Sequence, residues 1–555
     1  MINILKYFDE KKNTKKIYLF LVVFLVLIKV HSIVTTDIQP WDEGMYATRV
    51  LSIKESGDII DQSQHSVGKF YSGSHPPLLI WLGYIATSVF GMNNVVLKGL
   101  IFIFSLAVLW LLMKIGSNVY SPRAGIIAAI IFCSNLIFNI FAKRFQFDIP
   151  YTFLILLAFL YFLKYLDTGE KKYNYYSGVV FGLCLMIKIL VGFFIPMTIF
   201  IWFLFFRNKT KYTIKDLVVL SSIGIIIAAP WHAYMFIKYG WEFFNYFFFY
   251  HIYERALFGV EHNTKGSGYI YHINYLLTIL PFGAIILFGA FKKLMNIKTL
   301  KAKEAFILVW FLIGFIIITL FKTKLEVYIL LILTPGVFIA GAYLEMLDLL
   351  SKKEKLILLV VTSLNVFWAV LNYFRIELAY PLNSQTLPKV IFISSVWFVL
   401  SGITVFYWFR KNYSISGFFY TFILMFLFFI NILYAVKIPY WENSFKITDV
   451  QHEIENSGYK KLIYVASNYR HNPQFSFYFD GLDLGWTNTK YDFTFLDTKN
   501  GIDSVKKILD NAGDKVNVII EKDKINRSDY FESKLVVNDN YKLILKSSGY
   551  ELYRK

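Results

Sequence analysis

The chain has 555 residues, of which 56% are hydrophobic, 19% aromatic and 17% charged, and its mean hydropathy is +0.50. That composition excludes an ordinary soluble domain. The formal net charge of +19 would suit nucleic acid, but the Lys and Arg sit in short gaps between long apolar runs, so the expected partner is a lipid bilayer and nucleic acid is excluded.

A transmembrane helix needs roughly 20 apolar residues. The first run, 17–34, is interrupted by Lys29 and His31 and has no small-residue cleavage site after it, so it predicts a retained helix and not a signal peptide. Further runs at 94–113, 124–142, 149–166, 175–191, 193–206, 217–237, 270–290, 305–321, 328–349, 356–374, 389–409 and 417–437 bring the total to about 13 spans. The gaps 1–16, 114–123, 167–175, 207–216, 291–304, 351–355 and 410–411 hold 23 Lys and Arg against 7 Asp and Glu. By the positive-inside rule they face the cytoplasm, together with the N-terminus. The other gaps face out, and an odd number of spans puts the C-terminus outside. The prediction is a multi-pass protein of the cell membrane.

Residues 35–93 form a first outer loop. Within it, Tyr46, Val50 and Ile53 recur at helical spacing between Glu43 and Glu55, and 77–90 is apolar, short and bounded by Pro76-Pro77 and Gly91. Both predict helices lying along the membrane surface. A second outer loop covers 238–269. Residues 1–437 are thus a transmembrane domain, and from 438 to 555 the charge rises and the apolar runs shrink to strand length. Leu462 to Ala466 and Val516 to Ile520 predict strands, Ile502 to Ala512 a helix, and Tyr541 to Leu545 with Tyr550 to Tyr553 a hairpin. This predicts a small extracytoplasmic α/β domain. Cys133 and Cys184 lie within apolar runs, so no disulfide framework follows.

Several polar residues stand out against this background. Asp42-Glu43 follows Trp41 just beyond the first helix. A carboxylate at the membrane surface can act as general base on an acceptor hydroxyl; Asp42 equally suits the N-cap of a helix starting at Glu43. Asp148 opens the fourth span two residues before Pro150. It too suits an N-cap, yet an acid at a membrane helix end needs water or a partner. Ser74-His75-Pro76-Pro77-Leu78 ends the first loop, and the stiff Pro-Pro pair holds His75 in a set direction, toward a phosphate, a carboxylate or a metal. Lys188, between two short spans, can pair with a phosphate or an acid, or snorkel to the interface.

The second outer loop brings His251, Glu254, Arg255, Glu261, His262 and His272. Arg255 suits a bidentate phosphate clamp. The histidines and acids are metal-ligand types, but no spacing such as His-Glu-x-x-His occurs. No cofactor is therefore required, and a divalent metal is a secondary reading. In Lys322-Thr323-Lys324-Leu325-Glu326-Val327-Tyr328, Lys324 and Tyr328 suit a lipid phosphate, or the lysines serve a helix C-terminus. All these residues fall on the outer side of a topology drawn independently from loop charge. That clustering predicts one outer cavity with acids for chemistry and cations for a phosphate.

Taken in order, the motifs resemble the C-type membrane glycosyltransferases (the GT-C fold), specifically the superfamily of the bacterial aminoarabinose transferases and the protein O-mannosyltransferases. Residues 36–345 carry the resemblance: Asp42-Glu43-Gly44-Met45-Tyr46-Ala47, Ser56-Gly57-Asp58, His75-Pro76-Pro77-Leu78 with Trp81-Leu82 and Phe90-Gly91, Lys188 to Gly192, Pro230-Trp231, His251 to Arg255, and Thr323-Lys324-Leu325 with Tyr328. It implies an inverting hexosyl- or pentosyltransferase with a polyprenyl-phosphate sugar as donor and a lipid, cell-envelope glycan or protein as acceptor. It also implies that Asp42 is the main catalytic acid or base, Glu43 stands beside it, and Asp148 is a second acid on the acceptor side. Lys188, Arg255, Lys324 and Tyr328 would hold the carrier phosphate. Two departures are visible. Ser74-His75 stands where the aminoarabinose branch has Glu-Lys, which moves one phosphate contact onto His75 or removes it and weakens the case for a Glu-dependent zinc site. The spacing from His251 to Arg255 is one residue longer than in that branch. The competing function is a transporter or flippase of lipid-linked glycans without transferase activity. Such proteins place ionisable groups near mid-membrane and show two similar halves. Here the candidate groups lie at helix ends and no repeat is seen.

Overall fold

In hydrocarbon every backbone N–H and C=O has to be bonded within its own segment, which is why apolar runs of this length become helices. The computed structural model describes residues 10–259, 268–279, 282–379, 382–411, 415–443, 446–466, 472–479, 491–498, 501–521, 537–547 and 549–555. In chain order its main helices up to residue 442 are α1 (Thr14–Thr35), α2 (Asp42–Ser56), α3 (Leu78–Phe90), α4 (Asn94–Val119), α5 (Pro122–Cys133), α6 (Asp148–Thr168), α7 (Lys171–Leu185), α8 (Ile189–Phe206), α9 (Ile214–Phe244), α10 (Tyr271–Ile279), α11 (Gly283–Met295), α12 (Ala302–Leu320), α13 (Leu330–Glu345), α14 (Lys352–Ala379), α15 (Thr386–Lys411) and α16 (Ile415–Glu442).

Among the described residues, ten helices are long and apolar enough to cross a membrane: α1, α4, α6, α8, α9, α12, α13, α14, α15 and α16. The protein is a multi-pass membrane protein. The other three of the roughly 13 expected spans fall on shorter elements. The run 124–142 divides into α5 and Leu136–Phe141, because Asn135 ends one helix and caps the next, its Oδ1 accepting from Phe138 N at 2.8 Å. The run 175–191 holds the 15-residue α7, closed where Ile187 N and Lys188 N both donate to the Cys184 carbonyl at 3.1 and 3.0 Å. The run 270–290 divides into α10 and α11.

The chain forms two compact units. The first takes in Met1–His31, Ile101–Lys143 and Phe147–Ile438. Its helices cross closely through small residues: a Cβ on Gly116 of α4 would lie 2.4 Å from the Gly125 Cα of α5. Such contacts are how helices associate where water supplies no hydrophobic drive. Burial varies widely within it. The span Glu326–Glu345 is 89% buried, while Thr386–Thr404 is 6% buried and presents nearly all its surface to lipid.

The second unit takes in Ser32–Leu100, Arg144–Gln146 and Pro439–Lys555. Helices α2 and α3 form where the spacing predicts them, and Gly57, at φ 74°, ends α2 in the left-handed cap that glycine adopts without a Cβ clash. The C-terminal part is α17 (Thr448–Ser457), β1 (Lys461–Ala466), α18 (Gln474–Tyr478), β2 (Asp492–Asp497), α19 (Ile502–Asp510), β3 (Val516–Glu521), β4 (Lys542–Lys546) and β5 (Tyr550–Arg554). The sheet order is β2-β1-β3-β5-β4. β2, β1 and β3 are parallel, and β4 and β5 form the expected antiparallel hairpin beside β3. Alternate residues of β1 serve opposite faces. Leu462 and Tyr464 pack with Ile447, Val450 and Ile454 around α17 and with Phe475 of α18. Ile463 and Val465 pack with Val505 and Leu509 of α19. The sheet is therefore covered on both sides, as its parallel strands require.

Candidate functional site

The chain turns sharply before α2. Trp41 has φ 65° and ψ −132°, a conformation that costs of order 1–3 kcal/mol for a residue with a Cβ. Trp41, not Asp42, occupies the N-cap, and no side chain caps the helix there. Asp42 is the first helical residue and is exposed. Among the described residues no hydrogen bond or ion pair reaches its carboxylate. The positive end of the α2 dipole favours its charged form.

Glu43 is its opposite. It is 0% exposed, and both its oxygens accept from backbone: Oε2 from Gln39 N at 2.8 Å and Oε1 from Phe145 N at 2.9 Å. Its carboxylate holds the turn from which Asp42 emerges.

The His-Pro-Pro segment is tied to the same helix through Arg49. This side chain is fully buried, donating from Nη1 to the Ser72 carbonyl at 3.1 Å and from Nη2 to Gln62 Oε1 and the His75 carbonyl, each at 3.0 Å. Burial pushes the guanidinium down to about 10, against the opposing pull of Tyr46 and Asp61. His75 is half-buried, its ring edge-on to Tyr46 with centroids 6.0 Å apart. Arg49 was not singled out from the sequence. The available signal was its position, three residues after Tyr46 and one before Val50, inside the apolar periodicity of α2.

The remaining predicted residues belong to the first unit. Asp148 is the first residue of α6, with Phe147 at the N-cap, and is 6% exposed. The Tyr151 hydroxyl hydrogen-bonds its carboxylate, and Tyr328 lies within electrostatic reach of Tyr151. An acid at a buried membrane helix end thus has the partner it needs. Tyr151 also went unnoticed in the sequence, although a position three residues after Asp148 shares its helix face. Tyr151, Thr152, Trp310 and Thr334 help line a cavity of about 190 Å³.

Lys188 stands at the N-cap of α8, and its Nζ lies 5.6 Å from the centroid of the Tyr328 ring. Two residues far apart in sequence are thereby brought together as a cation–π pair. A second junction joins the late outer motif to the second outer loop. Lys322 N donates to the Ala256 carbonyl at 2.8 Å, and Thr323 N and Oγ1 both donate to the Arg255 carbonyl at 3.2 and 2.5 Å. Arg255 follows directly on a ten-residue π-helix, Asn245–Glu254, a form that recurs at functional sites.

Lys324 lies in this junction, and its Nζ donates to the Ile318 and Thr319 carbonyls, both at 2.7 Å. It therefore does what the alternative sequence reading expected, serving the C-terminus of α12. Burial, and then the charge of Lys322, lower its pKa from the ordinary lysine value. Glu261 and His262 lie outside the described residues. Among the described residues no group of three or more His, Cys, Asp or Glu is placed to hold a metal ion.

Residues 74–234 match the family described as dolichyl-phosphate-mannose-protein mannosyltransferase. A protein of Aquifex aeolicus is 23% identical over 445 residues, covering 78% of this chain and 81% of that one. The undecaprenyl phosphate-alpha-4-amino-4-deoxy-L-arabinose arabinosyl transferase of Wigglesworthia glossinidia brevipalpis is 23% identical over 434 residues, covering 74% of this chain and 75% of its own. In three dimensions the chain is similar to ArnT from Cupriavidus metallidurans, solved bound to undecaprenyl phosphate, with a TM-score of 0.70 at 14% identity over 97% of each chain. The chain thus has the C-type membrane glycosyltransferase fold, and its sequence resembles the aminoarabinose transferase and protein O-mannosyltransferase superfamily.

Proposed function

We propose that this chain transfers a sugar from a polyprenyl-phosphate donor to an acceptor hydroxyl at the outer face of the membrane, with inversion at the anomeric carbon. The observation that carries the reading is the Asp42 carboxylate, exposed and unbonded among the described residues at the start of α2, behind a strained Trp41. Backbone strain is retained where the surrounding structure over-determines it, and it clusters at active sites. The superfamily resemblance supports the same assignment, and the undecaprenyl phosphate bound by the solved relative supports the class of donor. The outer face rests on the loop charges.

In this reaction the acceptor oxygen attacks the anomeric carbon, the bond from that carbon to the phosphate oxygen breaks, and its electron pair leaves on the polyprenyl phosphate. Asp42 takes the acceptor proton as general base. Negative charge grows on the departing phosphate, and fixed cations in a water-poor site stabilise it more than water would. Lys188, steadied by the Tyr328 ring, and Arg255 are assigned that role. Lys324 and His75 are assigned weaker phosphate contacts, and Asp148 the orientation of the acceptor. Glu43 supports Asp42 through the backbone bonds described above.

The test uses the full chain in nanodiscs, a panel of undecaprenyl-phosphate sugars that includes aminoarabinose, and an envelope extract as acceptor. The expected result is release of undecaprenyl phosphate with one sugar of the panel, and loss of that release in Asp42→Asn. Full turnover by Asp42→Asn would defeat the assignment. Flipping of the lipid-linked sugar without its cleavage would favour the transporter.

A further inference from the structure

The helix that carries Asp42 is held at its first turn from several directions, and the holding groups come from the C-terminal α/β part of the same unit. Before the helix, Ile38 N donates to the Tyr478 hydroxyl at 2.9 Å. Asp37 is buried, and its Oδ2 accepts from Ile447 N and Thr448 N at 2.7 and 2.8 Å, while its Oδ1 accepts from Thr448 Oγ1 at 3.1 Å. That carboxylate caps α17 and fixes the segment leading to Trp41. Neighbouring charge from Asp37, on top of burial, keeps the Tyr478 hydroxyl protonated, its pKa raised well above the ordinary tyrosine value.

Within the helix, α18 seats against Gly44 so closely that a Cβ there would lie 2.6 Å from Gln474 N and 2.9 Å from Pro473 Cγ. The nearest atom is backbone, which cannot swing aside, so this position admits only glycine without displacing α18. One turn on, Thr48 Oγ1 donates to the Pro473 carbonyl at 3.1 Å. The seat is anchored to the sheet by a buried polar set. Gln474 Nε2 donates to the Tyr550 hydroxyl at 2.9 Å and to Asn472 Oδ1 at 3.2 Å, and Asn472 Nδ2 donates to Glu521 Oε1 at 3.1 Å. Asn472, Gln474, Glu521 and Tyr550 are all buried. Buried, interconnected polar groups of this kind fix one arrangement, because any slip leaves a member unbonded.

We infer that the C-terminal α/β part is a clamp that sets the position of the Asp42 carboxylate, with Gly44, Gln474 and Tyr478 as positioning residues. Tyr478 and Gln474 stand at the two ends of one short helix, and they grip the chain on either side of Trp41-Asp42. This is why the strained Trp41 conformation persists: the residues around it leave no relaxed alternative. The clamp's effect on turnover rests on the proposed transferase function; its effect on the backbone does not.

The test therefore reads both, on the full chain in nanodiscs. Gly44→Ala is expected to speed amide hydrogen exchange across 37–47 and leave exchange in α3 unchanged, because only the first turn of α2 is loosened. With the donor that the wild type turns over, kcat should fall by ~10- to 100-fold, the scale of a carboxylate displaced by about an ångström. KM for that donor should stay within about twofold, since no phosphate contact is touched. Tyr478→Phe keeps the ring and removes one hydrogen bond, so the same changes should appear at about fivefold. It decides the matter if Gly44→Ala fails to fold. Wild-type exchange across 37–47 in a folded variant would overturn the clamp, and so would faster exchange with unchanged kcat. If the wild type turns over no donor, the function reading fails while the exchange data still judge the clamp.

Discussion

Asp42 and Asp148 each begin a helix, each directly after an aromatic N-cap residue, yet their surroundings are opposed. Asp42 is exposed, has no bonded partner among the described residues and follows a strained Trp41. Asp148 is 6% exposed and takes a hydrogen bond from the Tyr151 hydroxyl. An open carboxylate can exchange a proton with a substrate; a buried one that is already engaged is better suited to orienting something. The same residue type at the same helical position thus has two uses, and the difference comes from the loops that precede the two helices.

Exchanging charge for amide at each site separates these uses most sharply. Asp42→Asn should cut transfer by ~10²- to 10⁴-fold, the range of a lost general base. Its thermal unfolding should shift little, because only a helix-dipole contribution of about 0.3–1 kcal/mol is removed. Asp148→Asn should lower transfer less and stability more, by about 1–3 kcal/mol, since a buried charge-assisted bond is weakened. Calorimetry beside the transfer assay checks both, and a stability loss at Asp42 equal to that at Asp148 would erase the distinction. Next in size is the phosphate side. Lys188→Met should raise donor KM about tenfold by removing a fixed cation. Tyr328→Phe, which keeps the ring under Lys188, should raise it about twofold by loss of the hydroxyl.

The smallest effect is one of pH. The lowered pKa of Lys324 means that its ammonium is present at neutral pH and is lost, as pH rises, earlier than for an ordinary lysine. If it contributes to holding the donor phosphate, donor KM should climb on the alkaline side. Lys324→Arg should flatten that climb, because a guanidinium keeps its charge there. An unchanged alkaline limb in Lys324→Arg assigns Lys324 to α12 alone.

Much of this was legible because periodicity and loop charge are local. Every predicted span lies on helix, and the strands 462–466 and 516–520 lie within β1 and β3. The helix endings inside 124–142 and 175–191 were not legible, since Asn135 and the turn at Cys184 interrupt runs that stay apolar throughout. β2 was missed although Phe493 and Phe495 alternate with polar residues; six residues between undistinguished flanks make a weak signal. At the candidate site, sequence reasoning named the acids but not their state. Asp42 and Glu43 are adjacent and alike on paper. Only the fold shows that Glu43 is bonded at both oxygens by Gln39 and Phe145, the latter 102 positions away. Arg49 and Tyr151 were passed over because each looks like an ordinary member of its helix.

The π-helix Asn245–Glu254 stores chain length. Each of its turns closes from residue i to i+5, so it contains one residue more than an α-turn between the same two ends. Deleting a single residue from this stretch would let it close as α-helix and rotate everything beyond it by about 100°. Arg255, the next residue, would then point to a different quarter of the compass without any change in its identity. The longer His251–Arg255 interval relative to the aminoarabinose branch is the kind of insertion that such a winding absorbs. Relatives of this chain can therefore differ in where a cation aims by the gearing of one helix as well as by which residues they carry.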